Sequence, residues 1–97
     1  MSFNFEQNYE LHSDRIYQYI YFLVGKKQLA EDLTQETFIK AFKQQHTFRH
    51  ESSNLTWLMK IARNLTYDYF RRKKIISFLT FTKEHELNEE SVYVPEA

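Results

Sequence analysis

Six residues between positions 60 and 74 repeat with the period of a helix and share one kind of chemistry: Lys60, Arg63, Asn64, Tyr67, Arg71 and Lys74. Cations at this spacing can hold phosphates along one helix face, an amide can read the polar edge of a base, and a phenol ring can stack on one. A plain solvated surface accounts for a lone basic stripe equally well, so the stripe alone does not decide. Other chemistries find less support. His46 and His50 stand four apart, but a loop is predicted there and no third ligand is near, whereas zinc takes three or four. Glu84, His85 and Glu86 make a weaker set still. No Gly-rich phosphate loop, nucleophile elbow or His-Glu-x-x-His pattern occurs, and nothing in the sequence pairs its carboxylates as acid and base. The chain reads as a binding protein and not an enzyme, with no metal site and no cofactor.

The stripe needs a helix to carry it. Leu55, Leu58, Ala62, Leu65 and Tyr69 recur at spacings of three and four, which predicts a helix over 54–74 with that face buried and the stripe opposite. Ser53 or Asn54 caps it. One Gly and one Pro in the whole chain make long helices the economical assignment elsewhere too. Phe5, Tyr9, His12, Ile16, Ile20 and Leu23 form the inward face of a first helix, which starts from a capping box of Asn4 and Gln7 and stops at Gly25. Lys26 and Lys27 then favour its C-terminal end. A second helix spans 28–45, with Ala30, Leu33, Thr37, Phe38, Ala41 and Phe42 inward and Asp32, Gln35, Glu36, Ile39 and Lys43 outward. Glu31 and Asp32 suit its first turn, and Ile39 hints at a contact surface. The segment His46–Asn54 breaks the pattern and presents Phe48, Arg49 and two serines between two helices. After Lys74 the run IISFLTF either extends the helix, packs back on the core or mediates self-association. The expected fold is all-α, a compact bundle of three main helices, with room for an extra short helix or turn in the loop.

Composition bounds the rest. The 97 residues suffice for one small core, and 42% hydrophobic content can fill it without staples. With no cysteine, disulfides and thiolate metal sites are excluded. No apolar run approaches the roughly 20 residues of a membrane span, and no signal-peptide layout opens the chain, so a cytoplasmic protein without membrane insertion is expected. The net charge of +0 hides a segregation: residues 43–74 carry eight bases against two acids. One part of the chain suits a polyanion and the rest a basic partner.

The order of these features carries a resemblance. AEDLTQETFIKAFKQQHTFR, followed after a short loop by TWLMKIARNLTYDYFRRK, resembles region 2 of bacterial sigma factors of the extracytoplasmic-function group, over about 5–74. The resemblance implies that Asp32, Gln35 and Glu36, edged by Ile39 and Lys40, bind RNA polymerase core at the coiled coil of its β′ clamp. It implies that Gln44, Phe48, Ile61 and Asn64 surround a base flipped from the non-template strand of the minus-ten promoter element. Arg49, Lys60, Arg63, Tyr67 and Arg71 would engage the same DNA, chiefly its phosphates, and Trp57 would support the loop more than stack on a base. An anti-sigma factor is an expected further partner, and a protein-interaction module without DNA recognition of its own is the alternative. Two departures stand out: His50 lies where many relatives have Gly, and Asp68 puts an acid among the cations. The resemblance divides the chain into a region 2-like domain at 1–76 and an acidic tail or start of an interdomain linker at 77–97, without the family's second, minus-thirty-five-binding domain.

Overall fold

Asn4 opens the first helix through its side chain: Oδ1 accepts the Gln7 N–H at 3.0 Å, and α1 runs Phe5–Val24. The computed structural model describes residues 4–87, and their side chains as far as residue 80. α1 stops where Gly25 turns left-handed at φ 69°, and the Gly25 N–H closes on the Tyr21 carbonyl at 2.8 Å. That conformation costs a residue with a Cβ about 1–2 kcal/mol, which is why a glycine ends the helix here. α2 then spans Lys27–Lys43, a 3-10 turn follows at Gln45–Thr47, and α3 spans Asn54–Leu87. The described residues are all-α, with three helices and the extra short turn in the loop.

Ile16 and Ile20 of α1, Ala30, Leu33, Phe38 and Ala41 of α2, and Leu58, Ile61, Ala62 and Leu65 of α3 form one buried cluster. Each fully buried Ile or Leu in it contributes roughly 1.5–3 kcal/mol. Thr34, Thr37 and Thr66 are buried with it, and each hydroxyl donates to the carbonyl four residues earlier, at 2.6, 2.7 and 2.8 Å. A satisfied hydroxyl buries at little cost, so polarity in the sequence hid the inward places of Thr34 and Thr66.

Several expectations need correction. Tyr9 and Phe42, assigned inward, are both exposed at the rim, where Tyr9 meets Phe38 edge-on at 5.0 Å and Phe42 meets Phe5 at 5.9 Å. α2 begins one residue early and ends two residues early, so Glu31 and Asp32 sit in its second turn. Compensation of the helix dipole, confined to the first turn, therefore does not explain them. α3 continues past the expected end at Lys74, and IISFLTF extends it. Of that run Ile75, Ile76, Phe78 and Leu79 are exposed. Residues 77–87, assigned to the acidic tail, are helical, and the rest of that tail lies outside the described residues.

The chain divides into two units, Met1–Thr66 and Tyr67–Ala97. The first holds the buried cluster. In the second, Asp68 pairs with Arg71, Lys73 Nζ lies 6.0 Å from the centre of the Tyr69 ring, and residues 70–80 are exposed.

Candidate functional site

The segment between α2 and α3 is built in three steps. The Gln44 carbonyl accepts both the Thr47 N–H at 2.8 Å and the Thr47 hydroxyl at 2.7 Å, which winds the 3-10 turn. Phe48 then leaves in an extended conformation and buries its ring, 8% exposed, flat against Trp57 at 4.5 Å and 12°. His50 turns the chain back at φ 60°, its ring 4.2 Å from Phe48. A left-handed residue is where glycine is favoured and a side chain needs a compensating contact. His50 obtains one from Phe48.

Ser53 closes the segment. Its Oγ accepts the Thr56 N–H at 3.1 Å and its carbonyl accepts the Trp57 N–H at 3.0 Å, so Ser53 is the cap of α3. Asn54 is thereby freed for another contact: its Nδ2 donates to Oδ1 of Asn8 on α1 at 2.8 Å. Asn8 is 3% exposed, and its own Nδ2 donates to the Asn4 carbonyl at 2.7 Å.

Between the loop and the first turns of α3 lies a cavity of about 280 Å³, lined by Thr47, Phe48, Arg49, Glu51, Ser52, Thr56, Trp57 and Lys60. Aromatic surface, two cations, the Glu51 carboxylate and several hydroxyls converge there; the rings and cations suit a flat polar ring beside an anionic backbone, and Glu51 offsets part of that charge. Of the residues expected around a captured base, only Phe48 lines this cavity. Gln44 is half-buried just before the 3-10 turn, and Asn64 is exposed nearly three turns along α3. Ile61 is 7% exposed and belongs to the core cluster, so its side chain packs inward. Phe48 is similarly placed, since Trp57 and His50 cover its ring and leave it as the floor of the cavity rather than a free stacking surface. Trp57 stacks on Phe48 and also lines the cavity, while Thr47, Glu51, Ser52 and Thr56 were missed there. Small polar loop residues carry no sequence signal that separates a lining from a linker.

Arg49, Lys60 and Arg63 are exposed in the first unit, as are Tyr67 and Arg71 in the second. Arg71 is engaged by Asp68, which offsets part of its charge locally.

The opposite chemistry sits on α2. Asp32, Gln35, Glu36 and Ile39 are exposed and Lys40 is half-buried, so the residues expected to meet a basic partner do share an outward surface. Gln28 Nε2 donates to Asp32 Oδ1 at 3.0 Å and orients that carboxylate. Gln35 also lines a groove between α1 and α2 with Tyr9, Ser13, Asp14, Tyr17, Glu31 and Thr34, so acids of both helices extend the face. Asp14 and Tyr17 escaped notice because they lie on a helix whose sequence shows only a core-facing pattern. Beside it, Phe5, Glu6, Ile39, Phe42 and Lys43 line an apolar groove of about 390 Å³. Ile39 and Phe42 are each 51% exposed, which makes this edge of α2 sticky as well as charged. Among the described residues no three His, Asp or Glu gather closely enough to hold a metal ion, and no helix is long and apolar enough to cross a membrane.

The all-α fold of the described residues agrees with what sequence comparison finds. The family model for Sigma-70 region 2 matches residues 9–75. The chain is 40% identical over 86 residues to the ECF RNA polymerase sigma factor BldN of Streptomyces coelicolor, covering 88% of this chain and 33% of that protein. It is 37% identical over 76 residues to SigX of Bacillus subtilis, covering 78% and 39%, and 42% identical over 65 residues to SigW of the same organism, covering 67% and 35%. The chain thus spans between a third and two fifths of the length of these relatives. No solved structure gives a significant match. With the family match covering most of its length, the chain belongs to the Sigma-70 region 2 family, and it is of the extracytoplasmic-function type.

Proposed function

We propose that this chain acts in the cytoplasm in transcription initiation, docking on RNA polymerase core through α2 and engaging the non-template strand of the minus-ten promoter element through the loop and α3. The β′ clamp coiled coil is the polymerase element assigned to Asp32, Gln35, Glu36, Ile39 and Lys40. The observation that carries the DNA reading is the cavity between the loop and α3, where Trp57, backed by Phe48, supplies aromatic surface and Arg49 and Lys60 supply positive charge. A base leaving the stack trades a few kcal/mol of lost stacking and pairing for contacts in such a cavity, so strand opening is driven by binding energy without covalent chemistry. Arg63, and separately Arg71 and Tyr67 in the second unit, are assigned to the strand's backbone, and Asn64 and Gln44 to the captured base.

Fluorescence anisotropy of the polymerase-bound protein with a single-stranded minus-ten library, at several salt concentrations, tests this. A sequence preference is expected, and Lys60→Ala should flatten the plot of log affinity against log salt by about 0.7 if it holds one phosphate. Binding without sequence preference, unchanged in Trp57→Ala and in Asn64→Ala, would sink base capture.

One observation favours a second reading, a protein-interaction module. The groove at Phe5, Ile39 and Phe42 is apolar and exposed, which suits a protein surface such as polymerase or an anti-sigma factor. Docking there without any affinity for promoter strands would select that reading.

A further inference from the structure

Asn8 is the one amide side chain buried in the α1 wall, and its two ends are both used. The Nδ2 end is tied to the carbonyl of Asn4, the residue that caps α1, so the side chain is fixed to the start of its own helix. The Oδ1 end accepts from Asn54, the first residue of α3, across 46 positions of sequence. The apolar cluster that packs the three helices is non-directional and tolerates small sliding of one helix on another. A buried hydrogen bond does not, because a shift that breaks it leaves a desolvated amide unpaired. The Asn8–Asn54 bond therefore sets where α3 begins relative to α1.

That position matters for the cavity. One wall, Thr47, Phe48 and Arg49, follows the end of α2; the other, Thr56, Trp57 and Lys60, lies on the first two turns of α3, directly after Asn54. Only the residues up to Ser53 connect them. The gap between the walls is thus fixed by where α3 starts, and the Phe48–Trp57 stack spans that gap.

We infer that Asn8 and Asn54 are a positioning pair for the loop cavity: their buried hydrogen bond holds the first turn of α3 at the spacing at which Trp57 lies flat on Phe48. Neither residue touches the bound strand. The effect on DNA rests on the function proposed above, whereas the effect on the cavity does not.

Trp57 is the only tryptophan in the chain, so its emission and its quenching by acrylamide report on the cavity directly. The variants are Asn8→Leu, which keeps the volume and removes both bonds, and Asn54→Ala, which removes the bond from the half-buried side. In Asn54→Ala, at a temperature where circular dichroism shows full helicity, the emission should shift and the quenching constant should rise about twofold. Affinity for a single-stranded minus-ten oligonucleotide should fall about tenfold in Asn54→Ala while polymerase binding through α2 is unchanged. Should Asn8→Leu fail to fold, Asn54→Ala decides alone. An Asn54→Ala protein that is folded, less heat-stable, and spectrally identical to the parent at Trp57 would overturn the inference and leave the pair a stabilising contact only. A shifted Trp57 signal with unchanged DNA affinity would uphold the positioning of the cavity and count against the DNA function instead.

Discussion

Two residues with left-handed backbone join the three helices, and they do so in opposite ways. Gly25 ends α1 with open space where a Cβ would stand, and a single further residue, Lys26, leads into α2. His50 turns the chain between α2 and α3 with a side chain that lies against Phe48, within a segment that runs from Gln44 to Ser53. The first joint uses the residue that makes the turn at least cost and holds two helices side by side, which gives α2 a fixed outward face. The second accepts a strained residue and stacks rings against it, which builds a cavity. A short strain-free joint leaves a flat exposed helix face, and a longer, strained one leaves a cavity; the proposed function assigns docking to the first and strand binding to the second.

The contrast can be broken from either side. The largest effect is expected on the docking face: Asp32→Arg combined with Glu36→Arg should weaken binding to polymerase core by at least about 30-fold, since reversed charges turn attraction into repulsion. Circular dichroism and single-strand affinity should stay as they were. Unaltered core binding in a pull-down or by surface plasmon resonance would detach this face from its assigned role.

Next comes Gly25→Val. With nothing within 4 Å of the added Cβ, its cost is backbone strain alone, about 2 kcal/mol for a β-branched residue, read as a lower urea midpoint. Because the joint lies away from the cavity in sequence and contacts, the Trp57 spectrum of the folded protein should not change. A changed spectrum would mean that the two joints are coupled.

The smallest effect belongs to His50→Gly. Relief of the left-handed backbone, about 1 kcal/mol, is offset by the greater freedom of an unfolded glycine and by the lost ring contact. Stability should therefore move by less than about 1 kcal/mol, with Trp57 more accessible to acrylamide. A loss of several kcal/mol would show that the His50 ring, and not the turn, holds the loop.

Much of this was legible in the sequence because it rests on period and punctuation. The i, i+3, i+4 spacing of Ile16 and Ile20, of Leu33 and Ala41, and of Leu58, Ala62 and Leu65 found the core faces of all three helices, and Gly25 and Asn4 marked the ends of the first. The outward face of α2 followed by subtraction. The site was less legible. Ile61 is apolar on the border of two helix faces, and period alone cannot say on which side a border residue falls; packing settled it inward. The ring of Phe48 is occupied by Trp57, nine positions away, a contact between a loop and a helix that no local pattern encodes. Asn8 was invisible for the opposite reason: an amide on an otherwise apolar face reads as an exposed interruption until its partner, Asn54, is known. The run IISFLTF stayed open, since it is compatible with helix, core or interface, and the backbone shows α3 continuing through it.

The most direct test of the account titrates the polymerase-bound protein with single-stranded minus-ten oligonucleotides in which one nucleotide at a time is made abasic, reading Trp57 against the tryptophan background of polymerase by a fluorinated-tryptophan label and fluorine resonance. If the cavity between the loop and α3 captures one base, the label should shift on binding the intact strand and lose that shift for an abasic nucleotide at one position only. A shift that survives every abasic substitution, or none at all with the strand bound, would contradict it.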